Sequence, residues 1–268
     1  MMGINKRRLT ALALATALAA AVIIGAATTS AHATPRSTAA CNPAYKYCDP
    51  GQLSAGVYTT RYFLPGMRVT VPGSGWVSHQ DSTTEFKLSP PGYPDPDSAP
   101  VIRFWIDPRI STPCTDKVLP TKLTSPESVV RWLSTNKNFI VSGTGRATIA
   151  GHLAALRLEY DVSPRAPKCS PSCSSSCIDY FMFMGGPQPD ATDLAPTHTP
   201  GIKDGFGTGA HDPVRLYLAH IGSPSHSHLL MVGVETPNGK DLAGLRADAT
   251  KMLAHLGLPA KLPPRGKR

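Results

Sequence analysis

Apolar positions along the first half of the chain recur in short alternating runs. Arg68-Val69-Thr70-Val71 predicts a strand closed by Pro72, and the Gly73-Ser74-Gly75 turn leads into a return strand opening at Trp76-Val77-Ser78. Glu85-Phe86-Lys87-Leu88 alternates as a half-buried strand, and a turn cluster of Pro90, Pro91, Gly92, Pro94 and Pro96 follows. Val101 to Ile106 is apolar on both faces apart from Arg103, the pattern of an inner strand. The period then lengthens. Ser125 is placed to accept from the free amides of a first helical turn, Pro126 suits the first helical position, and Glu127 complements the positive helix end. With Val129, Val130 and Leu133 as its apolar stripe, this helix is expected to end near Asn136. Ile140 to Val162 reads as two strands around Gly151-His152, and Ile178 to Met184, Val214 to Ile221 and the central Leu229 to Val234 read as three more. Asp241 to Leu256 predicts a closing helix with Leu242, Leu245, Ala249, Met252, Leu253 and Leu256 on one face and Gly257 as its stop.

Strands, a helix, more strands and a final helix predict an α+β domain, a largely antiparallel sheet covered by helices. It is expected over residues 57–258, after a loose arm at 34–56 and before a basic tail at 259–268. No internal repeat of useful period is present. The 268 residues allow one domain or at most two, and Gly 23 with Pro 27 makes the chain loop-rich but short of disordered. A coiled coil, a collagen and a multi-span membrane protein are excluded.

The first segment reads as an export signal. Lys6, Arg7 and Arg8 form a basic region, Ala11 to Ala27 is a nearly unbroken apolar run, and Ala31-His32-Ala33 is a small-x-small cleavage site. The mature chain is then expected to begin at Thr34. A membrane anchor is the rival reading, but the run is Ala-rich, about 17 residues long, and lacks a cationic flank on its far side. Arg7-Arg8 before Leu9 also resembles a twin-arginine signal, and Thr38-Ala39-Ala40-Cys41 a degraded lipobox without its leucine. Cleavage removes three cations and no anions, so the formal charge of +9 falls to +6.

The cysteines agree with export. All six, Cys41, Cys48, Cys114, Cys169, Cys173 and Cys177, follow the cleavage site, and an even number in an exported chain predicts up to three disulfides. Cys41 with Cys48 is expected to close a local loop, and Cys114 to join one of the other three. A metal site is the alternative; however, structural zinc sites prefer two residues between paired cysteines, whereas both intervals from Cys169 to Cys177 hold three.

Candidate chemistry is sparse. Gly-x-Ser-x-Gly is absent, and Gly73-Ser74-Gly75 has neither its spacing nor its context. Ser134-Thr135-Asn136-Lys137 matches Ser-x-x-Lys without the motifs that accompany it. Asp81, Glu85, Asp107, Glu159, Asp161 and Asp179 supply carboxylates for a glycosidic pair, but separation decides that mechanism and a bland reading as solvated strand ends is preferred. His226-Ser227-His228 would place two imidazoles on one side of an extended strand, with His211-Asp212 or His220 as further ligands; surface histidines are the simpler reading. Gly205-Phe206-Gly207-Thr208-Gly209 could offer amides to an anion but lacks a strand-to-helix context, and is expected to be a flexible loop. The alternation at Tyr180 to Phe183 is read as core. Lys261, Arg265, Lys267 and Arg268 give the tail a basic end without interleaved aromatics, suited to anionic envelope polymers and not to nucleic acid.

The run from Tyr62-Phe63 through Val69-Thr70-Val71-Pro72 to Gly75-Trp76 carries a resemblance, together with Trp132-Leu133, the Gly151 hairpin and Arg215-Leu216-Tyr217. It resembles a family of actinobacterial secreted domains, and its order of elements is similar to the PsbP-like α/β/α sandwich of photosystem extrinsic subunits and some mycobacterial envelope lipoproteins. Over roughly Val57 to Leu258 the resemblance implies a binding or assembly module without catalytic residues, and it carries no site over. The resulting expectation is a secreted, monomeric, non-enzymatic binding, sensing or envelope-associated module. It has no catalytic, cofactor-binding or metal residues and an unknown ligand or envelope component as partner. A secreted hydrolase with a site assembled from distant residues is the alternative.

Overall fold

Strand β14 (His228–Glu235) is buried at every position, because a core packs against each face of the sheet it centres. The computed structural model describes residues 51–93, 99–114, 117–169, 177–184, 203–223, 227–239 and 241–262. Across the large sheet the strands run β1 (Gly51–Leu53), β4 (Trp76–Asp81), β5 (Glu85–Ser89), β6 (Val101–Ile106), β14, β13 (Val214–Ile221), β10 (Leu153–Val162) and β9 (Phe139–Ile149). Every neighbouring pair is antiparallel. The fold is therefore α+β and dominated by antiparallel sheet.

Alternation along β14 sends Leu230, Val232 and Val234 into one core and Leu229 and Met231 into the other. The first core is closed by helix α2 (Leu242–Ala254), through Leu245, Ala249, Met252 and Leu253, and by the hairpin of β2 (Gly56–Thr59) and β3 (Arg68–Val71). Over the second lie helix α1 (Pro126–Thr135), through Val129 and Leu133, and a small sheet. The small sheet runs β12 (Lys203–Gly209), β11 (Cys177–Met184), β7 (Arg109–Thr112) and β8 (Lys117–Lys122). Tyr180 and Phe181 of β11 join Trp132, Phe139 and Tyr160 in an aromatic cluster, and the Tyr160 and Tyr180 hydroxyls hydrogen-bond to each other. Pairing of the two phenols satisfies groups that burial has cut off from water.

Local signals place α1 where its sequence predicts. Ser125 Oγ accepts from the Ser128 amide, Ser128 Oγ accepts from the Ser125 amide, and Asn136 is the C-cap. Helix α2 ends earlier than expected: Leu256 stays buried, but the chain leaves the helix so that Gly257 can exchange two backbone hydrogen bonds with Arg68.

Three expectations are corrected. Strands β3 and β4 do not form a hairpin across Gly73 to Gly75: β3 pairs with β2 and β4 with β1 and β5, so the turn carries the chain from one sheet to another. The segment Gly205 to Gly209 is not a loop but part of β12, where backbone pairing with β11 outweighs the poor strand propensity of glycine. The arm expected over 34–56 gives Gly51–Leu53 to the sheet edge as β1. Strand covers much of both sheet faces as well as helix, which propensity alone does not reveal. Residues 1–50 and the tail from 263 lie outside the described residues, and with them the export signal, Cys41 and Cys48. Among the described residues no helix is long and apolar enough to cross a membrane.

Cys114 is bonded to Cys169, joining the chain just after β7 to the segment following β10. Cys173 lies outside the described residues, and of Cys177 only the main chain, at the start of β11, is described.

Candidate functional site

On the α2 face of the sheet, near its β9 edge, three guanidinium groups converge on one carboxylate. Period-two alternation along β10 projects Arg157 and Glu159 from the same face, and the register sets Arg215 of β13 beside Glu159 and Tyr217 beside Arg157. Helix α2 lies over this face and supplies Arg246. Arg215 Nη2 donates to Glu159 Oε1 at 2.8 Å, Arg246 Nη2 lies 3.2 Å from Oε2, and Arg157 Nε lies 3.8 Å from Oε1. On the other side of β10, the edge strand β9 presents Gly143 to Glu159 and Gly145 to Arg157. A Cβ at Gly145 would come within 3.3 Å of Arg157 Nη2, so that guanidinium lies close against the edge strand at a position without a side chain.

The cluster is unbalanced and partly open. Three permanent cations face one carboxylate, and side-chain exposure is 15% for Arg215, 21% for Arg246 and 41% for Arg157. Nε of Arg215 and Nε of Arg246 are enclosed and donate no hydrogen bond. Burial, and then the charge of Arg215, lower the Arg246 pKa below the usual arginine value, against the opposing pull of Glu159. Guanidinium groups stay charged at any ordinary pH, so the three arginines can bind and orient an anion but do not themselves shuttle protons.

The other candidates are placed differently. His228 Nδ1 lies 2.7 Å from Asp107 Oδ2, and Asp107 Oδ1 accepts from the Leu229 amide at 3.0 Å. A carboxylate-held imidazole is what a hydrolase would need, but His228 is fully buried and Asp107 nearly so, and among the described residues neither side chain stands at the surface. Its partner in the expected imidazole pair, His226, lies outside the described residues. His220 Nδ1 is 3.0 Å from Ser227 Oγ on the surface, and the exposed His211 donates its amide to Asp161 Oδ1. No group of three potential metal ligands occurs among the described residues.

Asp81, Glu85 and Asp107 are buried and are not the solvated strand ends expected, and Glu85 meets Glu235 at one arginine. Asp81 accepts from the amides of Arg61, Tyr62 and Phe63 at 2.6, 3.2 and 2.8 Å, and burial nonetheless raises its pKa. Glu85 and Glu235 share Arg103, at 3.4 Å from Nη1 and 3.2 Å from Nε respectively, inside the second core. Burial pushes Glu235 up to about 7, helped by the Glu85 charge and opposed by Arg103 and Lys87. Of Asp179 only the main chain, in β11, is described. Ser134 and Lys137 stand exposed at the end of α1. Beyond that end, Lys137, Asn138, Ile140, Ser163, Pro164 and Arg165 line a depression of about 620 Å³ that contains no carboxylate.

The sequence offers Glu159 only as a possible acid and marks none of Arg157, Arg215 and Arg246 as site residues. The alternation Arg157-Leu158-Glu159 shows that two of the four share a face. Nothing local reports that β13 and α2 bring the other two.

No protein-family description matches the chain, and no curated protein matches it. Among solved structures it is similar to LpqN, a protein involved in cell envelope biogenesis of Mycobacterium tuberculosis. The similarity is at 13% identity and a TM-score of 0.36, covering 79% of this chain and 87% of that one. A likeness of that size carries neither a residue nor a function across.

Proposed function

We propose that the protein is an exported, non-enzymatic module that binds an anionic component of the cell envelope. One observation carries this reading: the partly open cluster of Arg157, Arg215 and Arg246 around the single carboxylate of Glu159, an excess of positive charge suited to holding an anion. The export-signal pattern at the N-terminus and the Cys114–Cys169 bridge support an oxidising destination outside the cytoplasm. A helix over each face of the sheet supports kinship with PsbP-like layered domains. The basic tail adds a second, unspecific attraction to anionic polymers.

The competing reading, a secreted hydrolase, has Asp107 and His228 in its favour, and their burial against it. The test incubates the mature chain from Thr34 with purified envelope polymers. Sedimentation follows binding, and chromatography of the supernatant follows cleavage. Salt-sensitive co-sedimentation without released fragments is expected. Fragments that appear with native protein and not with heat-denatured protein would overturn the non-enzymatic reading.

A further inference from the structure

We propose that Arg157, Arg215 and Arg246 form a binding site for a phosphate group, seated between α2 and the glycine positions of β9. The proposal deepens the binding-module reading and rests on it. Its first support is donor arithmetic. A guanidinium carries five N–H donors, so three offer about fifteen, while a carboxylate accepts through about four lone-pair sites. Glu159 therefore matches only a minority of these donors, and the Nε atoms of Arg215 and Arg246, enclosed by their neighbours, have no acceptor within the cluster. The second support is charge. With Glu159 included the cluster keeps two net positive charges, and a phosphate monoester carries about −1.5 to −2 at neutral pH. A carboxylate ligand would leave the cluster short of negative charge, whereas a phosphate monoester closes the balance.

The third support is access. Gly143 and Gly145 put no side chain on this face of the edge strand, Arg157 is the most exposed of the three arginines, and Arg246 reaches in from the flank of α2. Phosphate oxygens approaching along β9 would meet Arg157 first, then Arg215 and Arg246. Planar, forked donors on two strands and a helix can bracket a tetrahedral anion from three directions, which a lysine cluster does less selectively.

Isothermal titration of the mature protein with inorganic phosphate, and in a parallel arm with glycerol 3-phosphate, tests the inference at constant ionic strength. Saturable binding is expected in at least one arm, and about tenfold weaker binding in Arg246→Gln and in Arg157→Gln, the size expected for one charge-assisted hydrogen bond. Binding of free phosphate alone assigns the site to a solute, and binding of the monoester as well assigns it to phosphate carried on a larger molecule. Arg215 is the most enclosed of the three and its substitution endangers folding, so a second readout uses the intact protein. The Nε–H resonances of Arg215 and Arg246 should shift on phosphate addition and not on chloride addition. No heat in either arm together with unmoved resonances would overturn the inference. If envelope polymers still co-sediment in that case, the binding-module reading survives without it; if phosphate binds and the polymers do not, the site stands and the envelope reading falls.

Discussion

Glu235 and Gly233 lie two residues apart on one face of β14 and show how single positions set stability. Glu235 sits in the second core beside Arg103, with Glu85, Lys87 and Asp212 contributing charge. Its pKa is raised from 4.5 to about 7, so the folded protein holds a proton that the unfolded chain releases. Stability then falls as pH rises from about 4.5 through about 7, by on the order of 3 kcal/mol. Glu235→Gln cannot ionise, and the decline of the melting temperature between pH 5 and 8 should flatten in that variant; an unchanged slope would assign it to other groups. Gly233 answers to shape. A Cβ there would come 2.8 Å from the ring of Trp105, itself 1% exposed. Gly233→Ala is expected to cost roughly 1–3 kcal/mol in chemical denaturation, because neither the ring nor the central strand can yield. By the same reasoning, Gly145→Ala should disturb Arg157 far less, since a guanidinium can swing outward.

At the scale of elements, α1 is stabilised partly by its own ends and partly by what it covers. The reciprocal Ser125 and Ser128 hydrogen bonds satisfy two amides of the first turn. Ser125→Ala should lower stability by about 1 kcal/mol and speed hydrogen exchange in that turn ahead of the rest of the helix. Helix α2 contrasts with it: Asp241 stands at its start in the left-handed region, and its side chain makes no cap. Its stability comes from Leu245, Ala249, Met252 and Leu253 on the first core, together with the Ala150 amide donating to Leu253. Placement of α2 over β10 and β13 brings Arg246 to Glu159, so whatever displaces this helix should also dismantle the arginine cluster.

On the scale of the whole molecule, the second layer depends on a covalent tie. The Cys114–Cys169 bridge spans 55 residues and fastens the segment after β7, in the small sheet, to the segment after β10, in the large one. Paired Cys114→Ala and Cys169→Ala substitutions should lower the free energy of unfolding by roughly 2–4 kcal/mol, by restoring freedom to the unfolded chain. Denaturant midpoints of this variant and of the parent isolate this bridge from any other. A shift confined to probes in the small sheet would mean that the layer opens on its own, and a uniform shift that both layers unfold together.

Period and punctuation in the sequence determined the α+β class, nearly all strands of the large sheet, both helices and the cap of α1, because those signals are local: alternation, Pro and Gly stops, and a serine before an apolar stripe. They could not decide which strands pair. The separation of β3 from β4, the recruitment of the glycine-rich β12 and the small sheet over the second core follow from contacts between distant segments, where burial and backbone pairing outweigh propensity. The candidate site divides the same way. Alternation sets Arg157 beside Glu159, but only the antiparallel register of β13 and the seat of α2 add Arg215 and Arg246, since convergence of charge belongs to three-dimensional space and not to spacing along the chain.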